Sequence, residues 1–414
     1  MRSQRRIPPV WLMGLSNSTL GFNTGIALLV IPQLLSARHV PEAKIALITA
    51  AAMSSNFWAV IFAPLLDVRA SRRFYATILA AITAVLAMIA VLSVEHPAVL
   101  GIALALSVAT AWLANNALGG WLSTVCREEE KNSLSAWFNI ALISGTGFTS
   151  AAGGELVRNL PLPLAAGILG AIVFCPTSVF LFIPSSRPSE RLAHESFAQF
   201  VGEIAAMFRN REVLVVLLLF LSPCGSFGIA NLLGGLGNDF HAPARVVSII
   251  GGAGVIIAGL CGCLLFPLAA KRVPLLEFYL INAAAGGLFT VCLIVLPRVT
   301  WTFAIALLGL FLFQAVSYAI QVGIVFDVIG KDNPLAATTF SILTAATNIP
   351  VTYMMVVDGR GYLFGGISGT LGTDAAISVV ACLLLGLVLV RVRGRALVFS
   401  AAAPEARDGL FQEE

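Results

Sequence analysis

Charged residues are scarce in this sequence. Lys, Arg, Asp and Glu together make up 11% of its 414 residues, whereas a soluble domain carries about 25%. Hydrophobic residues make up 58%, and the mean hydropathy is +0.93. A chain with so much apolar surface cannot bury it in a water-soluble core, so the composition predicts an integral membrane protein. The net charge of +4 is dispersed among short connections, which argues against binding to nucleic acid.

Catalytic and metal-binding patterns are also missing. Only four histidines are present, and they are scattered: His39, His96, His194 and His241. The sequence contains no GxSxG, HExxH or Walker A motif. Its seven cysteines lie in or beside apolar runs and form no CxxC pair, so they are interpreted as small packing residues. We therefore expect no enzyme, no metal site and no cofactor.

Long apolar runs dominate what is present. A helix needs about 20 apolar residues to cross a bilayer, and the strands of a membrane barrel would instead alternate over about 10 residues. Twelve such runs occur, at 9–35, 44–66, 74–94, 98–124, 133–155, 162–184, 212–238, 245–268, 275–296, 299–327, 335–357 and 372–392. They predict an all-α integral membrane protein with twelve transmembrane helices. The first run is too long for a signal-peptide core and is predicted to be a retained helix.

Basic residues are distributed unevenly between the runs. If the N-terminus is cytoplasmic, nineteen of the 25 basic residues fall on the cytoplasmic side. The outer side then keeps Arg38, Lys44, Arg158, Arg245, Arg298 and Arg360. Because cytoplasmic loops of membrane proteins carry an excess of Lys and Arg, both termini are predicted to be cytoplasmic.

The two halves of the sequence share landmarks at a nearly constant offset of 201–203 residues. The sequence Gly25-Ile26-Ala27 returns as Gly228-Ile229-Ala230, His39-x-Pro41 as His241-x-Pro243, Pro64-Leu65 as Pro267-Leu268, and Asn132-x-Leu134-x-Ala136 as Asn333-x-Leu335-x-Ala337. Four matches in register predict two six-helix repeats, an arrangement typical of the major facilitator architecture.

A polar stretch joins the repeats and is the longest charged segment between the termini. Its apolar residues, among them Phe197, Phe200, Ile204 and Phe208, recur at helical spacing. This pattern suits a helix on the membrane surface, and a solvated linker helix fits it equally well. The predicted units are an N-terminal bundle at 1–184, a cytoplasmic linker at 185–211, a C-terminal bundle at 212–396 and a cytoplasmic tail at 397–414.

Amide and aromatic side chains within the runs predict a polar cavity. A buried amide is costly in hydrocarbon unless it finds a partner or lines a wet cavity. Several amides and hydroxyls share single helix faces, such as Gln314, Tyr318 and Gln321. The predicted substrate cavity comprises Asn23, Asn56, Trp58, Asn115, Asn116, Trp121, Asn139, Asn231, Gln314, Tyr318, Gln321 and Asn348. Any one of these residues equally fits a role in packing between helices.

No acidic or basic residue lies deep in any run, so the interior is expected to be neutral. The acids Asp67, Asp327, Asp358 and Asp374 all fall near the ends of runs. Because proton-driven carriers usually place a titratable carboxylate in the transport pathway, a neutral interior disfavours proton coupling. Coupling would otherwise have to use an acid at a helix end, such as Asp67 or Asp327.

Two motifs near the N-terminus carry a family resemblance. Gly21-Phe22-x-x-Gly25-Ile26, followed by Phe62-Ala63-Pro64-Leu65-Leu66-Asp67, resembles the opening of the AmpG-type muropeptide permeases, a branch of the major facilitators. The resemblance covers roughly the first 75 residues. It implies a bacterial inner-membrane permease for muropeptides or glycopeptides. The loop Asp67-x-Arg69-x-x-Arg72-Arg73 resembles the major facilitator loop whose aspartate and arginines latch a cytoplasmic gate, and helix capping explains the same residues.

The sequence also departs from that branch. The carboxylates of its fourth helix are absent from Ala114-Asn115-Asn116-Ala117-Leu118-Gly119-Gly120-Trp121, and its seventh-helix aspartate is absent near Gly225-Ser226. Siderophore importers with the same arrangement of helices therefore remain an alternative. The leading hypothesis is a monomeric alternating-access transporter in the lipid bilayer that carries a small polar or amphipathic solute. A non-transporting membrane sensor and a membrane-embedded transferase are the alternatives from other classes.

Overall fold

The computed structural model describes residues 8–68, 70–184, 202, 205–233, 235–331 and 333–401. Over these residues the regular secondary structure is entirely helical. Most of the predicted linker, 185–201 and 203–204, lies outside the described residues, as does the tail beyond residue 401. The predicted surface helix of the linker therefore stays a prediction.

Six helices form the first half. Their bounds are Val10–Ala37 (α1), Ala43–Asp67 (α2), Arg72–Leu92 (α3), Pro97–Val125 (α4), Lys131–Asn159 (α5) and Leu162–Leu181 (α6). Three of them change pitch along their length, including α6, which ends in a 3-10 helix at Cys175–Leu181. Helix α1 contains a π-helical turn at Ile26–Val30, and α2 tightens into a 3-10 helix over Ala59–Asp67, around Pro64.

Six further helices form the second half. Their bounds are Arg211–Leu221 (α7), Ile229–Leu233 (α8), Ala244–Ala270 (α9), Leu275–Val295 (α10), Thr300–Ile329 (α11) and Ala336–Ala401 (α12). Helix α12 is interrupted at Gly365 (φ −147°, ψ 20°) and Gly366 (φ 57°, ψ −148°). It therefore consists of a first segment, 336–364, and a second segment, 367–401, which correspond to the last two apolar runs.

The apolar run 212–238 is not the single helix that its length predicts. Helix α7 ends at Leu221, and α8 begins only at Ile229. Between them, Pro223 supplies no amide hydrogen, and both Gly225 (φ 69°) and Phe227 (φ 48°) adopt positive φ. A right-handed helix cannot continue through such residues, so the backbone between Leu221 and Ile229 is irregular.

The repeat predicted from the sequence has a structural counterpart at the end of α1 and before α9. His39 and His241, at equivalent positions, both adopt the left-handed conformation, with φ of 56° and 53°. Pro41 and Pro243 follow them and begin the next helix with nearly the same backbone angles. A positive φ is uncommon outside glycine, so its recurrence at this offset supports a duplicated unit.

Each half has its own buried core, and a third core joins them. One cluster lies within α1–α6 and includes Ile31, Val91 and Leu104, and another lies within α8–α12 and includes Phe240 and Leu310. The largest cluster draws on both halves, with Trp121, Phe138, Phe326 and Phe340 among its members. The two halves are thus packed together over part of their shared face.

The outer surface is strongly apolar. Side chains such as Ile61, Val295, Trp301 and Phe364 are 75–92% exposed, which in water would be a liability and in a bilayer is expected. Among the described residues, nine helical segments are long and apolar enough to span a membrane, and one of them, Ala336–Val388, contains the break in α12. Twelve spans and two cytoplasmic termini stay predictions.

Candidate functional site: a cavity between the two halves

A cavity of about 600 Å³ lies between the halves. Helices α1, α2, α4 and α5 line it from the first half, with α2 contributing Met53, and α8, α9, α11 and the first segment of α12 line it from the second. Its volume falls within the range of about 300–1,000 Å³ that is usual for small-molecule sites. The location at the interface of two repeats is where transporters of duplicated architecture hold their substrates.

The lining is mostly apolar, and its polar members are uncharged. No Asp, Glu, Lys, Arg or His occurs among the described residues that line the cavity. Its polar members are amides, hydroxyls and one phenol, set in an apolar wall that includes Trp112 and Phe311. Such a wall donates and accepts hydrogen bonds but offers no counter-ion.

Seven of the twelve predicted cavity residues line this space. They are Asn115, Asn139, Asn231, Gln314, Tyr318, Gln321 and Asn348. Four belong to α11 or α12 in the second half, where the sequence pattern put polar residues on one helix face. Whether these side chains contact a substrate stays a prediction.

Several lining amides are held in place by other parts of the protein. The amide nitrogen of Gln314 donates to the carbonyl of Phe227, 3.2 Å away, in the irregular stretch between α7 and α8. The amide nitrogen of Gln321 donates to the Tyr279 hydroxyl at 3.2 Å, and its carbonyl oxygen is buried without a partner. The break between α7 and α8 thus helps to position the cavity wall.

Two aromatic hydroxyls near the cavity have different roles. Tyr318 lines the cavity, and its hydroxyl has no hydrogen bond to a described residue. The Tyr279 hydroxyl is buried and donates to the Cys224 carbonyl at 2.5 Å. Tyr318 is therefore available to a solute, whereas Tyr279 stabilises the irregular backbone after α7.

Three predicted residues are buried away from the cavity lining. Asn23 accepts a hydrogen bond from the Ser107 hydroxyl at 2.7 Å, within the first half. The indole of Trp121 is fully buried and donates to the Pro184 carbonyl at 2.9 Å. Asn116 donates to the Ser341 hydroxyl at 2.8 Å and so links α4 to α12.

The other two predicted residues lie on α2. Asn56 is half-buried and Trp58 is 36% exposed, and neither lines the cavity. The Trp58 ring packs edge-on against Phe62, which is itself exposed. The tryptophan that does line the cavity is Trp112. Its position one helical turn before Asn115 and Asn116 was the available signal.

One side of the cavity is closed by contacts between the halves, which we call the latch. Asp67, at the end of α2, accepts hydrogen bonds from the backbone amides of Ala337 (3.1 Å) and Thr338 (2.8 Å) and from the Thr338 hydroxyl (2.7 Å). The first amides of a helix have no partner within it. Asp67 therefore caps α12 from the opposite half, with its negative charge at the positive end of the helix dipole.

Arg72 completes the latch. Its Nε donates to Asp67 at 2.7 Å, and its Nη2 donates to the carbonyls of Asn333 (3.1 Å) and Pro334 (2.7 Å). Because Asp67 is only 5% exposed, its charge depends on this guanidinium and on the α12 amides. Of the other predicted gate residues, Arg73 has no side-chain partner among the described residues, and Arg69 lies outside them.

Close backbone packing continues the closure beyond the latch. A methyl group on Gly120 of α4 would lie 2.6 Å from the Cα of Ala337, so the two helices touch there. The Ser135 hydroxyl donates to the Ala319 carbonyl, and Asn139 donates to the Tyr318 carbonyl at 3.5 Å. Among the described residues, every hydrogen bond between helices of the two halves joins residues 67–139 to residues 318–341. The cavity continues away from this region, toward Leu28, Ser150 and Gly251.

These features define a multi-pass membrane protein with a neutral cavity between two packed helical halves. The sequence profile of the Major Facilitator Superfamily matches residues 13–333, and the chain belongs to that family. Its members are membrane transporters, which disfavours an enzyme. No curated protein matches the sequence.

Solved structures agree with the fold. The fucose:proton symporter FucP of E. coli superposes with a TM-score of 0.69, at 15% identity over 93% of this chain and 99% of that one. The human organic anion transporter MFSD10 superposes with a TM-score of 0.64, at 15% identity over 93% and 100%. A bacterial homologue of the iron transporter ferroportin, in its outward-facing state, gives 0.66, at 15% identity over 91% and 97%. At such identities the similarity is one of fold.

Proposed function

We propose that this protein moves a small polar or amphipathic solute across the membrane by alternating access. The observation that carries the proposal is the cavity itself. Both halves contribute uncharged polar side chains to it. Among the described residues, the hydrogen bonds between the two halves all lie on the latch side of the cavity. A wall of this kind binds hydroxyl and amide groups and would leave an ionised solute without a counter-charge.

The proposed orientation places the latch in the cytoplasm. The basic residues Arg72, Arg127, Lys131 and Lys331 cluster at this end of the molecule, where Glu128 pairs with Lys131 at 2.7 Å and approaches Lys331 at 3.9 Å. The positive-inside rule then favours a cytoplasmic location. In this orientation the conformation is outward-facing, and transport requires the Asp67–α12 contacts to break as the outer side closes.

The proposed solute class is glycopeptide-like, in the inner membrane of a bacterium. Support comes from the resemblance of the first 75 residues to muropeptide permeases and from a neutral wall suited to sugar hydroxyls and amides. A siderophore is the second candidate, because one structural relative is a bacterial homologue of an iron transporter. The two candidates use the same cavity and differ in the solute.

Uptake into proteoliposomes tests the proposal. The panel contains labelled cell-wall fragments, sugars and siderophores, each assayed with and without a pH gradient. We expect saturable uptake of a sugar-containing cell-wall fragment. If only siderophores were taken up, the solute class would be siderophores and not glycopeptides. Binding without uptake would favour a sensor. Product formation in detergent would indicate an enzyme.

A matched pair of variants ties uptake to the cavity. Asn348→Ala removes an amide that lines it, whereas Asn56→Ala removes an amide of the same type that does not. We expect Asn348→Ala to raise KM several-fold and Asn56→Ala to leave KM unchanged. The reverse result would place the solute elsewhere.

A further inference from the structure

Two aspartates are buried in the second half, outside the cavity. Asp358 lies in the first segment of α12 and is 0% exposed, and Asp374 lies in the second segment and is 2% exposed. The turn at Gly365 and Gly366 folds the two segments against each other, and this buries both acids although they lie near the ends of apolar runs in the sequence.

Tight glycine packing fixes the approach of the two segments. A methyl group on Gly361 would lie 2.8 Å from the carbonyl oxygen of Gly369 and 2.6 Å from the Thr373 hydroxyl. The Thr370 hydroxyl donates to the backbone carbonyl of Asp358 at 3.2 Å. The segments cannot separate at this level without breaking these contacts, so the two aspartates stay buried between packed segments.

The carboxyl oxygens have no protein partner. Both side-chain oxygens of Asp358 and one of Asp374 are buried and make no hydrogen bond to a described residue. This is unusual, because buried carboxylates are normally paired with a cation or hydrogen-bonded several times over.

Nearby charges are committed to other partners. Arg298 donates to the carbonyls of Leu293 and Ile294 and to the Ser368 hydroxyl. Asp239 accepts from the Tyr362 hydroxyl at 3.0 Å, and Arg360 is exposed.

The helices packed against α12 supply no compensating charge at this level. Helix α8 carries no ionisable residue, and the charged residue of α10, Glu277, is in its first turn, at the end away from Ser368. The ionisable groups Asp327 of α11 and Asp67 of α2 belong to the latch end of the molecule.

A bound proton resolves this arrangement. Two carboxylates held together in a low-dielectric interior repel each other, and the interior disfavours the charge on each. A proton on one of the carboxyl groups removes one of these charges. A metal cation such as Ca²⁺ would need six to eight oxygen ligands, and the Thr370 hydroxyl already donates to a carbonyl. We propose that Asp358 and Asp374 form a proton-binding site, distinct from the solute cavity.

This site has a defined pH dependence. The folded protein binds a proton here that the unfolded chain, with both carboxyls in water, would release in weakly acidic solution. Stability is therefore highest at low pH and falls as the pH rises and the folded pair loses its proton. The inference holds whether or not the protein transports a solute.

Infrared difference spectroscopy on the purified full-length protein tests the inference directly. A protonated carboxylic acid has a C=O stretching band distinct from that of a carboxylate. We expect such a band in the wild type at neutral pH, its loss on alkaline titration, a change in its frequency or intensity in Asp358→Asn and in Asp374→Asn, and its absence in the double variant Asp358→Asn/Asp374→Asn. Asp239→Asn, at an acid that has a tyrosine partner, should retain the band.

Thermal unfolding gives a second readout that does not depend on any single variant's folding. The wild-type Tm should fall as the pH rises through the same range in which the band disappears, and the double variant Asp358→Asn/Asp374→Asn should lose that part of the slope. Absence of a titrating band, or its unchanged persistence in the double variant, would overturn the proposal. So would stabilisation at high pH by Na⁺ but not by a larger monovalent cation, which would identify the pair as a metal-ion site.

Discussion

Asp67 of the first half and Thr338 of the second are joined by two hydrogen bonds, of 2.8 Å to the backbone amide and 2.7 Å to the hydroxyl. The carboxylate thereby caps a helix that belongs to the other repeat. A cap supplied from within the same half would survive a rocking motion of the halves. The cap supplied by Asp67 cannot survive it, so the free energy with which this cap stabilises α12 is lost when the halves separate at the latch.

Asp67→Asn should weaken the latch. The amide keeps one oxygen acceptor but loses the negative charge that Arg72 and the α12 amides stabilise. Hydrogen bonds to charged groups contribute about 1.5–3 kcal/mol each, so we expect the closed form to lose roughly tenfold or more in population. Hydrogen exchange of the peptide containing Ala337 and Thr338 measures this as faster exchange. Arg73→Gln is the control and should leave exchange unchanged; equal rates in both variants would refute the capping role.

Arg72→Lys should not substitute for arginine. The guanidinium reaches Asp67 through Nε and two α12-side carbonyls through Nη2 at the same time, and a lysine ammonium lacks that planar fork. Loss of one partner of a buried ion pair costs about 3–5 kcal/mol, and we expect Lys to recover only part of it. The same exchange assay and the thermal unfolding of Arg72→Lys and Arg72→Ala check this. A lysine variant identical to wild type would show that charge alone is enough.

Gly120→Ala should prevent full closure at the latch side. The added methyl group would meet the backbone of Ala337 at 2.6 Å, and backbone cannot move aside as a flexible side chain can. We expect a folded protein whose uptake falls at least tenfold. Gly101→Ala is matched to it, because on the same helix its methyl group would meet only Ile48, at an ordinary 3.9 Å. Equal uptake by both variants would mean that α4 and α12 need not touch during transport.

Much of the fold follows from local sequence patterns. Apolar length predicts the helices, and the offset of about 200 residues predicts the repeat whose counterpart appears at His39 and His241. The break between Leu221 and Ile229 was harder to predict, because it depends on two positive φ values and not on a change in hydrophobicity. The sequence did not indicate that Asp358 and Asp374 are buried. Their burial results from contact between the two segments of α12, which the turn at Gly365 and Gly366 folds together.

Prediction of the cavity residues was less complete for a related reason. An amide in an apolar run must be paired or hydrated, and the sequence cannot say which. Asn23 is paired with Ser107, Asn116 is paired across the halves, and Asn115 lines the cavity. All three have the same residue type and similar surroundings in sequence. Helix rotation, which is set by packing against neighbours, separates them.

Tyr318→Phe and Tyr279→Phe should separate a solute-binding hydroxyl from a structural one. The first removes a hydroxyl that lines the cavity and has no described partner, so we expect KM for the solute to rise about three- to tenfold with little change in Tm. The second removes a hydroxyl that donates to Cys224 and accepts from Gln321. It leaves both partners buried and unsatisfied, at a cost of about 1–3 kcal/mol each, so we expect a lower Tm and an indirect effect on KM through Gln321. Because the two substitutions are chemically identical, a stability loss confined to Tyr318→Phe would show that the cavity hydroxyl is structural and that the solute binds elsewhere.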